Sequence, residues 1–531
     1  MKKILALLLT LALLLGMSSA MAEATFKNTD RYPLEGEHSF VITSTEFQEK
    51  DWYPFIDNFA KATGIDFKMN VVTKEQVPLL MAGGDDMVPE FLYGRNTSTS
   101  LTIDQINEYG MAGALLNYAD YLDQMPNLKS AIERDPALLS YVVNDDGSFY
   151  TLPTHVFTMS AAHPVYYLRT DHIELAGWDH VPATVDEFIQ CLRDCKAYFE
   201  PLDNQYIAMT DYNGSSYTWN GNSTQAFFPA FGDLLETGIT TTNEGKDIAI
   251  GFTTEQYKRL LKFYNTLYTE KLLDQECFNS TSDFMKPFMA DGHTTVNSNM
   301  TSMTADMFPS GNIDLVIPEP LTSEWQSEKR VLMGDKYGWM LGTINAHAKN
   351  IDDILAFVDA VYATEDNPID DDGGLWGLSF WLGKCGLDWE WLEGRTGYRL
   401  LTREGYEKRT DYTTGAMLGW APYIGDVPSV QMNADGTPHL KASRVVKTIY
   451  PYRVDITRVG WLKLTADEYD TYLDVWADIN TYVTQMHAAF VTGEKDIDAE
   501  WDNFQAELMD MGLQDVIDVY QAALDRYNAN K

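Results

Sequence analysis

The sequence predicts an α/β fold that ends in a helical tail. Residues 38–45 are strand-like, residues 51–63 are helix-like and stop at Gly64, and alternating apolar residues over 65–71 predict a second strand. A strand, a helix and a strand in close succession form a βαβ unit, which favours an open parallel sheet. The chain beyond Thr465 instead shows one helical periodicity after another.

The next elements extend this sheet and place a cleft at one of its edges. Residues 77–82 read as a short helix, and after the turn at 83–86 the apolar run 88–93 predicts a third strand. Ligands of open α/β sheets meet the carboxyl ends of the strands. We therefore expect a cleft lined by Ser44, Thr45, Glu46, Tyr93, Arg95 and Asn96.

Two further helices have the pattern of sheet-covering helices. The first runs over 254–273 with its apolar residues on one face, and the second runs over 350–363 with Asn350 as its N-cap. The tail opens with a capping box formed by Thr465 and Glu468 and extends to residue 528, with Gly493 and Gly512 ending its first two helices.

The composition is that of a globular protein with a strongly acidic surface. The chain has 531 residues, with 78 acidic against 39 basic side chains and a formal net charge of −39. This length suggests more than one domain. The negative charge argues against nucleic-acid binding and against docking on anionic lipid, because both need clustered Lys and Arg.

The first 22 residues predict a cleaved secretory signal peptide. Lys2 and Lys3 precede an apolar run over 4–15, and Ala20-Met21-Ala22 offers an A-x-A cleavage site. The run is shorter than the about 20 residues that span a bilayer. There is no cysteine before Cys191, so no lipid anchor is expected near the cleavage site. We expect a soluble protein outside the cytoplasm, in a periplasm or secreted.

Four cysteines in a chain of this length do not make a disulfide framework. Cys191 and Cys195 fall on the apolar face of a helix that begins with the capping box Thr184 and Glu187, and we interpret them as core side chains. A bridge between the isolated Cys277 and Cys385 stays open at this point.

A set of motifs along the chain resembles a known family. The segments are Met81–Asp86, Tyr166–Asp171 leading to Pro182–Phe188, Ile344–Asn350, and the C-terminal run Phe490–Glu494, Trp501–Asp502, Met511–Leu513 and Tyr520–Tyr527. Together they resemble the extracellular solute-binding proteins of carbohydrate ABC transporters, family 1 in its long form. The resemblance covers nearly the whole mature chain.

The resemblance implies a two-lobed periplasmic-binding-protein-like α/β fold with a multi-strand hinge. The expected amino-terminal lobe comprises residues 25–155 plus 295–345, and the other lobe comprises 156–294 plus 346–531, including the tail at 465–528. Such a protein closes on a mono- or oligosaccharide and delivers it to a transmembrane permease. It acts as a monomer and needs no cofactor or catalytic residue.

One departure from the family concerns metal. Many long members carry an Asp/Asn/Gly-rich calcium loop after the helix that starts at Thr184, whereas residues 199–206 of this chain hold few carboxylates. The acidic stretch 366–374 also fails the calcium-loop spacing, because Pro368 and Ile369 occupy ligand positions. We therefore expect no structural metal.

The ligand-binding candidates follow from sugar chemistry. Sugars present flat C–H faces and many hydroxyls, so their sites combine aromatic rings with Asn, Asp, Arg or His. Helical Trp and Tyr residues are expected in the core, and loop aromatics are the better candidates. The full set of predicted contacts is Glu46, Tyr93, Arg95, Asn96, His155, Trp219, Asn297, Asn299, Trp376, Trp420 and Tyr423. Arg95 would pair with a uronate if the ligand were acidic.

The sequence leaves two other functional classes open, a secreted glycan hydrolase and a peptide-binding or adhesive secreted protein. A secreted glycan hydrolase needs two carboxylates across a cleft, and 78 acids single out no pair. The sequence has no G-x-S-x-G, H-E-x-x-H or P-loop motif that would indicate another enzyme. A peptide-binding or adhesive secreted protein would share the signal peptide and the acidic surface.

Overall fold

The architecture is known from a computed structural model. It describes residues 26–45, 54–84, 87–94, 101–144, 146–155, 165–210, 214–242, 244–281, 288, 291–297, 315–332, 337–402, 404, 430–432 and 448–530.

The strands alternate with helices through most of the chain. In chain order they are β1 (His38–Ser44), β2 (Ile65–Val71), β3 (Phe91–Gly94), β4 (Leu152–His155), β5 (Tyr167–Arg169), β6 (Ile207–Thr210), β7 (Ile239–Thr241), β8 (Ile248–Ile250), β9 (Thr294–Asn297), β10 (Leu315–Val316), β11 (Val331–Leu332), β12 (Tyr337–Ile344), β13 (Trp389–Trp391), β14 (Gly397–Leu400), β15 (Val430–Met432) and β16 (Arg453–Val454).

The α-helices cover the sheets and form the tail. They are α1 (Asn28–Arg31), α2 (Pro54–Thr63), α3 (Gln76–Ala82), α4 (Ile103–Met111), α5 (Pro126–Arg134), α6 (Thr170–Leu175), α7 (Val185–Phe199), α8 (Asn222–Phe227), α9 (Glu255–Thr269), α10 (Ile351–Val361), α11 (Ser379–Leu382), α12 (Ala466–Thr492), α13 (Ile497–Asp510) and α14 (Leu513–Asn530). None of the helices in the described part of the chain is long and apolar enough to cross a membrane.

The first sheet has the order β2-β1-β3-β12-β4. Strand β1 is parallel to both β2 and β3, so the predicted βαβ unit is confirmed. Strand β12 runs antiparallel to β3 and to β4. Both faces are covered, because Phe91 and Tyr93 enter one hydrophobic core while Leu92 enters a second cluster on the opposite face.

The second sheet has the order β10-β5-β9-β6, with β9 parallel to β6 and antiparallel to β5. Leu168, Met209 and Val296 bury one face in a large core that also includes residues of α7, α9 and the tail. Tyr167 and Leu315 bury the other face in a smaller cluster with Ile449.

The structure groups two segments differently from the predicted division into lobes. Strands β9 and β10 lie in the second sheet, although residues 295–345 were expected in the amino-terminal lobe, because β9 forms a parallel ladder with β6. Helix α10 packs in the first core, although residues from 346 onward were expected in the other lobe, because its buried Phe357 contacts Phe40 and Phe91 there.

Several local predictions are confirmed. Thr184 accepts from Glu187 N and Thr465 accepts from Glu468 N, both in complete capping boxes. Gly493 takes the left-handed conformation that ends α12, with φ 78°. The Asn350 prediction is only half right, since Asn350 is the N-cap of α10 but its amide donates to Glu90 Oε1 instead of capping the helix.

The four cysteines are free thiols. Cys191 and Cys195 are buried on the apolar face of α7, as predicted. Cys277 lies in the core of the second sheet and Cys385 packs against the core of the first, so the bridge left open by the sequence does not form.

A buried carboxylate fastens α10 to the amino end of α5. Asp359 is fully buried; its Oδ2 accepts from Arg31 Nη1 at 2.7 Å and its Oδ1 accepts from Asn127 N at 2.8 Å and Leu128 N at 3.1 Å. Burial raises the pKa of Asp359 to about 6, and the Arg31 charge acts in the opposite direction. With a pKa of about 6 the carboxyl is ionised at pH 7, where it pairs with a guanidinium and accepts from buried N–H groups that have no partner within their own helix.

We predict that Asp359→Ala lowers the free energy of unfolding by about 3 kcal/mol, because it leaves the partly buried Arg31 guanidinium and two buried N–H groups without their acceptor. Asp352→Ala, the same change at an exposed position of the same helix, is the control and should cost about 0.5 kcal/mol or less. Urea unfolding at pH 7 measures both, and equal losses would contradict this role for Asp359.

Candidate functional site

The carboxyl ends of the parallel strands lie at one edge in each sheet. In the first sheet, β1 and β3 end at Ser44 and Gly94. Strand β4 is antiparallel to β12, which is antiparallel to β3, so His155 at the end of β4 lies at that same edge. In the second sheet, β6 and β9 end at Thr210 and Asn297.

His155 lies at the predicted edge but is held by its neighbours. Its side chain is 7% exposed, Nε2 lies 3.4 Å from Asp135 Oδ2, and the ring packs against Tyr337 with centroids 5.4 Å apart. The Tyr337 hydroxyl donates to both oxygens of Asp135, at 3.1 and 3.2 Å. Asp135 therefore fixes two ring side chains where β4 meets β12.

The structure brings Asn297 to the corresponding edge of the second sheet, opposite Tyr167 of β5, where it is 6% exposed. Tyr93 is placed differently from the expectation. Its ring is fully buried in the first core, 5.3 Å from the ring of Phe91 and 6.0 Å from that of Phe357. Alternation along β3 directs this side chain to the face of the sheet that α10 covers.

The two loop tryptophans that the sequence favoured as sugar platforms are packed in cores. Trp219 is 4% exposed and donates from its indole N–H to Asn480 Oδ1 at 3.0 Å. Trp376 is 1% exposed and lies 5.9 Å from the ring of Trp389. Neither ring offers an open face in this conformation. The other predicted contacts, Glu46, Arg95, Asn96, Asn299, Trp420 and Tyr423, lie outside the described residues.

A pocket of about 550 Å³ opens beside the second sheet, along β10. Helix α7 leads into β6 and packs on it, so the amino end of α7 lies at the same edge as the carboxyl end of β6. The turn before α7 forms one wall of the pocket, and β10 with the residues after it forms another. The lining residues are Val181, Pro182, Ala183, Leu315, Val316, Ile317, Pro318, Glu319, Lys329 and Thr448.

The polar end of this pocket is an ion pair. Lys329 Nζ donates to Glu319 Oε2 and also lies 5.6 Å from the centre of the Tyr452 ring. The hydrogen bond from Lys329 holds the pKa of Glu319 below its ordinary value, and the hydrogen bond to Glu319 raises the pKa of Tyr452. The pair therefore presents an ionised carboxylate and an ammonium group side by side.

Sequence reasoning missed this pocket and an exposed ring near it. Trp325 is 45% exposed, and its ring lies 6.1 Å from that of Phe231 and 5.3 Å from the Arg259 guanidinium. Thr322 bridges to Thr184 at the start of α7, which brings this loop to the same edge. The loop carries no sequence motif. The only signal that could have indicated it is a Trp placed between polar residues.

In the segment where the resemblance would place a calcium loop, the Asp203 carboxylate is paired with a histidine. Asp203 Oδ2 lies 2.6 Å from His293 Nδ1, and Asp203 Oδ1 accepts from Gln205 N at 2.9 Å. Burial raises the pKa of Asp203, but the hydrogen bonds from His293 and Gln205 leave it below its ordinary value. Within the described ranges, no three His, Cys, Asp or Glu side chains are grouped to hold a metal ion.

Comparison with known proteins identifies the architecture. No protein-family model matches the chain. The fructooligosaccharide ABC transporter substrate-binding protein FusA of Streptococcus pneumoniae is 23% identical over 503 residues, which cover 91% of this chain and 85% of FusA. The structure of FusA with kestose superposes with a TM-score of 0.72 at 18% identity, over 93% of this chain and 100% of that one.

A second solved structure gives the same result. An HMO-binding, ABC-transporter-associated solute-binding protein of Bifidobacterium longum infantis matches with a TM-score of 0.70 at 16% identity, over 93% of this chain and 99% of that chain. The chain has the two-lobed solute-binding protein fold. The resemblance inferred from the sequence to substrate-binding proteins of carbohydrate ABC transporters is thereby confirmed, as is the predicted fold class.

Within this solute-binding fold, the buried tryptophans should act on stability. We predict that Trp376→Ala lowers the free energy of unfolding by about 3–5 kcal/mol, because it leaves a large cavity among packed rings. Trp325→Ala is the matched change at an exposed ring and should stay within about 0.5 kcal/mol. Chemical denaturation compares them, and a fully stable Trp376→Ala protein would contradict the observed packing.

We also predict that calcium leaves the melting temperature of the protein unchanged, because the Asp203 carboxylate is already paired with His293. Thermal unfolding after dialysis against a chelator, with and without added calcium, tests this. A calcium-dependent rise in melting temperature would show a metal site and overturn the prediction.

Proposed function

We propose that the protein is an extracytoplasmic substrate-binding protein that captures a mono- or oligosaccharide between two lobes and delivers it to the permease of an ABC transporter. The observation that carries this proposal is the shared fold over 93% of the chain, combined with 23% sequence identity to FusA over 503 residues. FusA is a fructooligosaccharide-binding protein, and its structure holds kestose.

The connections between the two sheets support a hinge. The chain leaves the first sheet after β4 and enters the second at β5, and it returns from β10 to β12. More than one crossing is what a multi-strand hinge requires, because several strands must flex together while each lobe stays rigid. The ligand would lie between the two edges defined above, so closure would bring the pocket beside β10 toward the first sheet.

The start of the tail and the residue Lys463 just before it contact the first lobe. Lys463 Nζ donates to Tyr141 O at 2.5 Å, and the Thr102 Oγ1 and Tyr469 OH atoms lie 3.3 Å apart. Asp104 lies in the first turn of α4, where burial raises its pKa and the Lys463 charge acts in the opposite direction. These polar contacts can break and re-form with little loss of packing, which suits a surface that moves on ligand binding.

The remaining features of the proposal follow from the same class of protein. Export would use the predicted signal peptide at 1–22, and the chain would act as a monomer without catalysis, cofactor or lipid anchor. A peptide-binding or adhesive protein and a glycan hydrolase are the alternatives. A hydrolase would release a new reducing end from an oligosaccharide, and a binding protein would return it intact.

A thermal-shift screen of the exported protein against neutral oligosaccharides, uronate oligosaccharides and short peptides is the first test. We expect a saccharide to raise the melting temperature, because a ligand that binds only the folded state stabilises it. Stabilisation by peptides alone would favour the peptide-binding alternative. Chromatography of the sugar after incubation distinguishes binding from hydrolysis.

We further predict that saturation with a bound saccharide lowers the radius of gyration measured by solution X-ray scattering, because closure of the lobes makes the particle more compact. A sugar from the screen that does not stabilise the protein serves as the control. An unchanged radius of gyration at saturation would contradict closure while leaving the binding result intact.

A further inference from the structure

The pocket beside β10 has an unusual wall for a sugar site. Most of its lining is aliphatic, and none of the described residues that line it is aromatic. Unsubstituted sugar hydroxyls pressed against such a wall would lose their hydrogen bonds to water without gaining partners. The wall therefore favours a ligand that carries an apolar substituent.

The polar end of the pocket can both donate and accept. A carboxylate offers about four acceptor positions and an ammonium group three donors. Glu319 uses acceptor positions on Lys329 and Tyr452, and Lys329 uses one donor on Glu319. The side chains of Lys329 and Glu319 are 29% and 45% exposed, so the unused positions are accessible to a ligand.

These two features match one substituent. An acetamido group has a methyl group, a carbonyl that accepts and an N–H that donates. We propose that this pocket binds the acetamido group of an N-acetylated sugar, with the methyl group on the aliphatic wall, the carbonyl at Lys329 and the N–H at Glu319. The assignment rests on the proposed function and adds the class of saccharide to it.

The size and charge of the pocket agree with this assignment. A volume of about 550 Å³ lies within the roughly 300–1,000 Å³ of small-molecule sites, so the sugar ring fits together with its substituent. A uronate carboxylate that pairs with Lys329 would also lie next to the Glu319 carboxylate, in a protein whose net charge is already −39. Like charges at this distance repel, so the pocket disfavours acidic sugars.

Calorimetry with matched ligands tests the inference. N,N′-diacetylchitobiose and cellobiose have the same rings and linkage and differ in the 2-acetamido groups. We expect the exported protein to bind the acetylated sugar about tenfold or more tightly, because a site that pairs with a polar group loses that partner when the group is absent. Kestose and tri-alanine complete the panel as an unacetylated oligosaccharide and a peptide.

Variants then assign the preference to the pocket. Lys329→Met and Glu319→Gln should each reduce the ratio of the two affinities toward one, mainly by weakening the acetylated sugar. Glu244 pairs with Lys246 on the surface, where their side chains are 74% and 71% exposed, and neither residue is in the pocket lining. Glu244→Gln is therefore the control and should leave the ratio unchanged. Circular dichroism checks that each variant is folded.

The outcomes separate this inference from the proposed function. Equal binding of both disaccharides, or tighter binding of kestose, overturns the acetamido assignment and leaves the saccharide-binding function standing. If both pocket variants keep the preference for the acetylated disaccharide, the acetamido group binds elsewhere and the assignment is also overturned. Binding of tri-alanine without any saccharide overturns both proposals. The wild-type comparison of disaccharides holds even if a variant fails to fold.

Discussion

The two-sided burial of both sheets is the constraint from which the remaining features follow. In β3, Phe91 and Leu92 enter hydrophobic clusters on opposite faces, and in the second sheet Leu168 and Tyr167 do the same. A sheet covered on both faces offers a ligand only the edge where its strands end. The position of the candidate site is thus a consequence of how the apolar side chains are buried.

The same constraint explains the use of the aromatic residues. Tryptophan supplies a large apolar area with a single N–H to satisfy, so it is efficient in a core wherever an acceptor is close. Trp219 finds Asn480, and Trp389 donates to Gly383 O at 2.8 Å. The pocket beside β10 is instead aliphatic with a charged pair, so its chemistry differs from the aromatic platform expected of a sugar site.

The C-terminal helices link the two halves. Residues of α12 and α13 complete the core of the second sheet, while the first turn of α12 reaches α4 beside the first sheet. Arg526 of α14 secures that turn through bonds of 2.7 and 2.6 Å to Glu468, within α12's capping box. Helix α12 is thus packed into the core of the second sheet and touches the other half of the molecule through polar groups.

The sequence by itself determined the local structure. Capping boxes at Thr184 and Thr465, the βαβ unit and the helical tail were all predictable, because their signals lie within a few residues of one another. The assignment of β9 and β10 to the second sheet was decided only by the tertiary structure, since strand pairing depends on partners far away in the sequence. The pocket is the clearest case, because Pro182, Ile317, Lys329 and Thr448 carry no shared motif and become one site only when the chain folds.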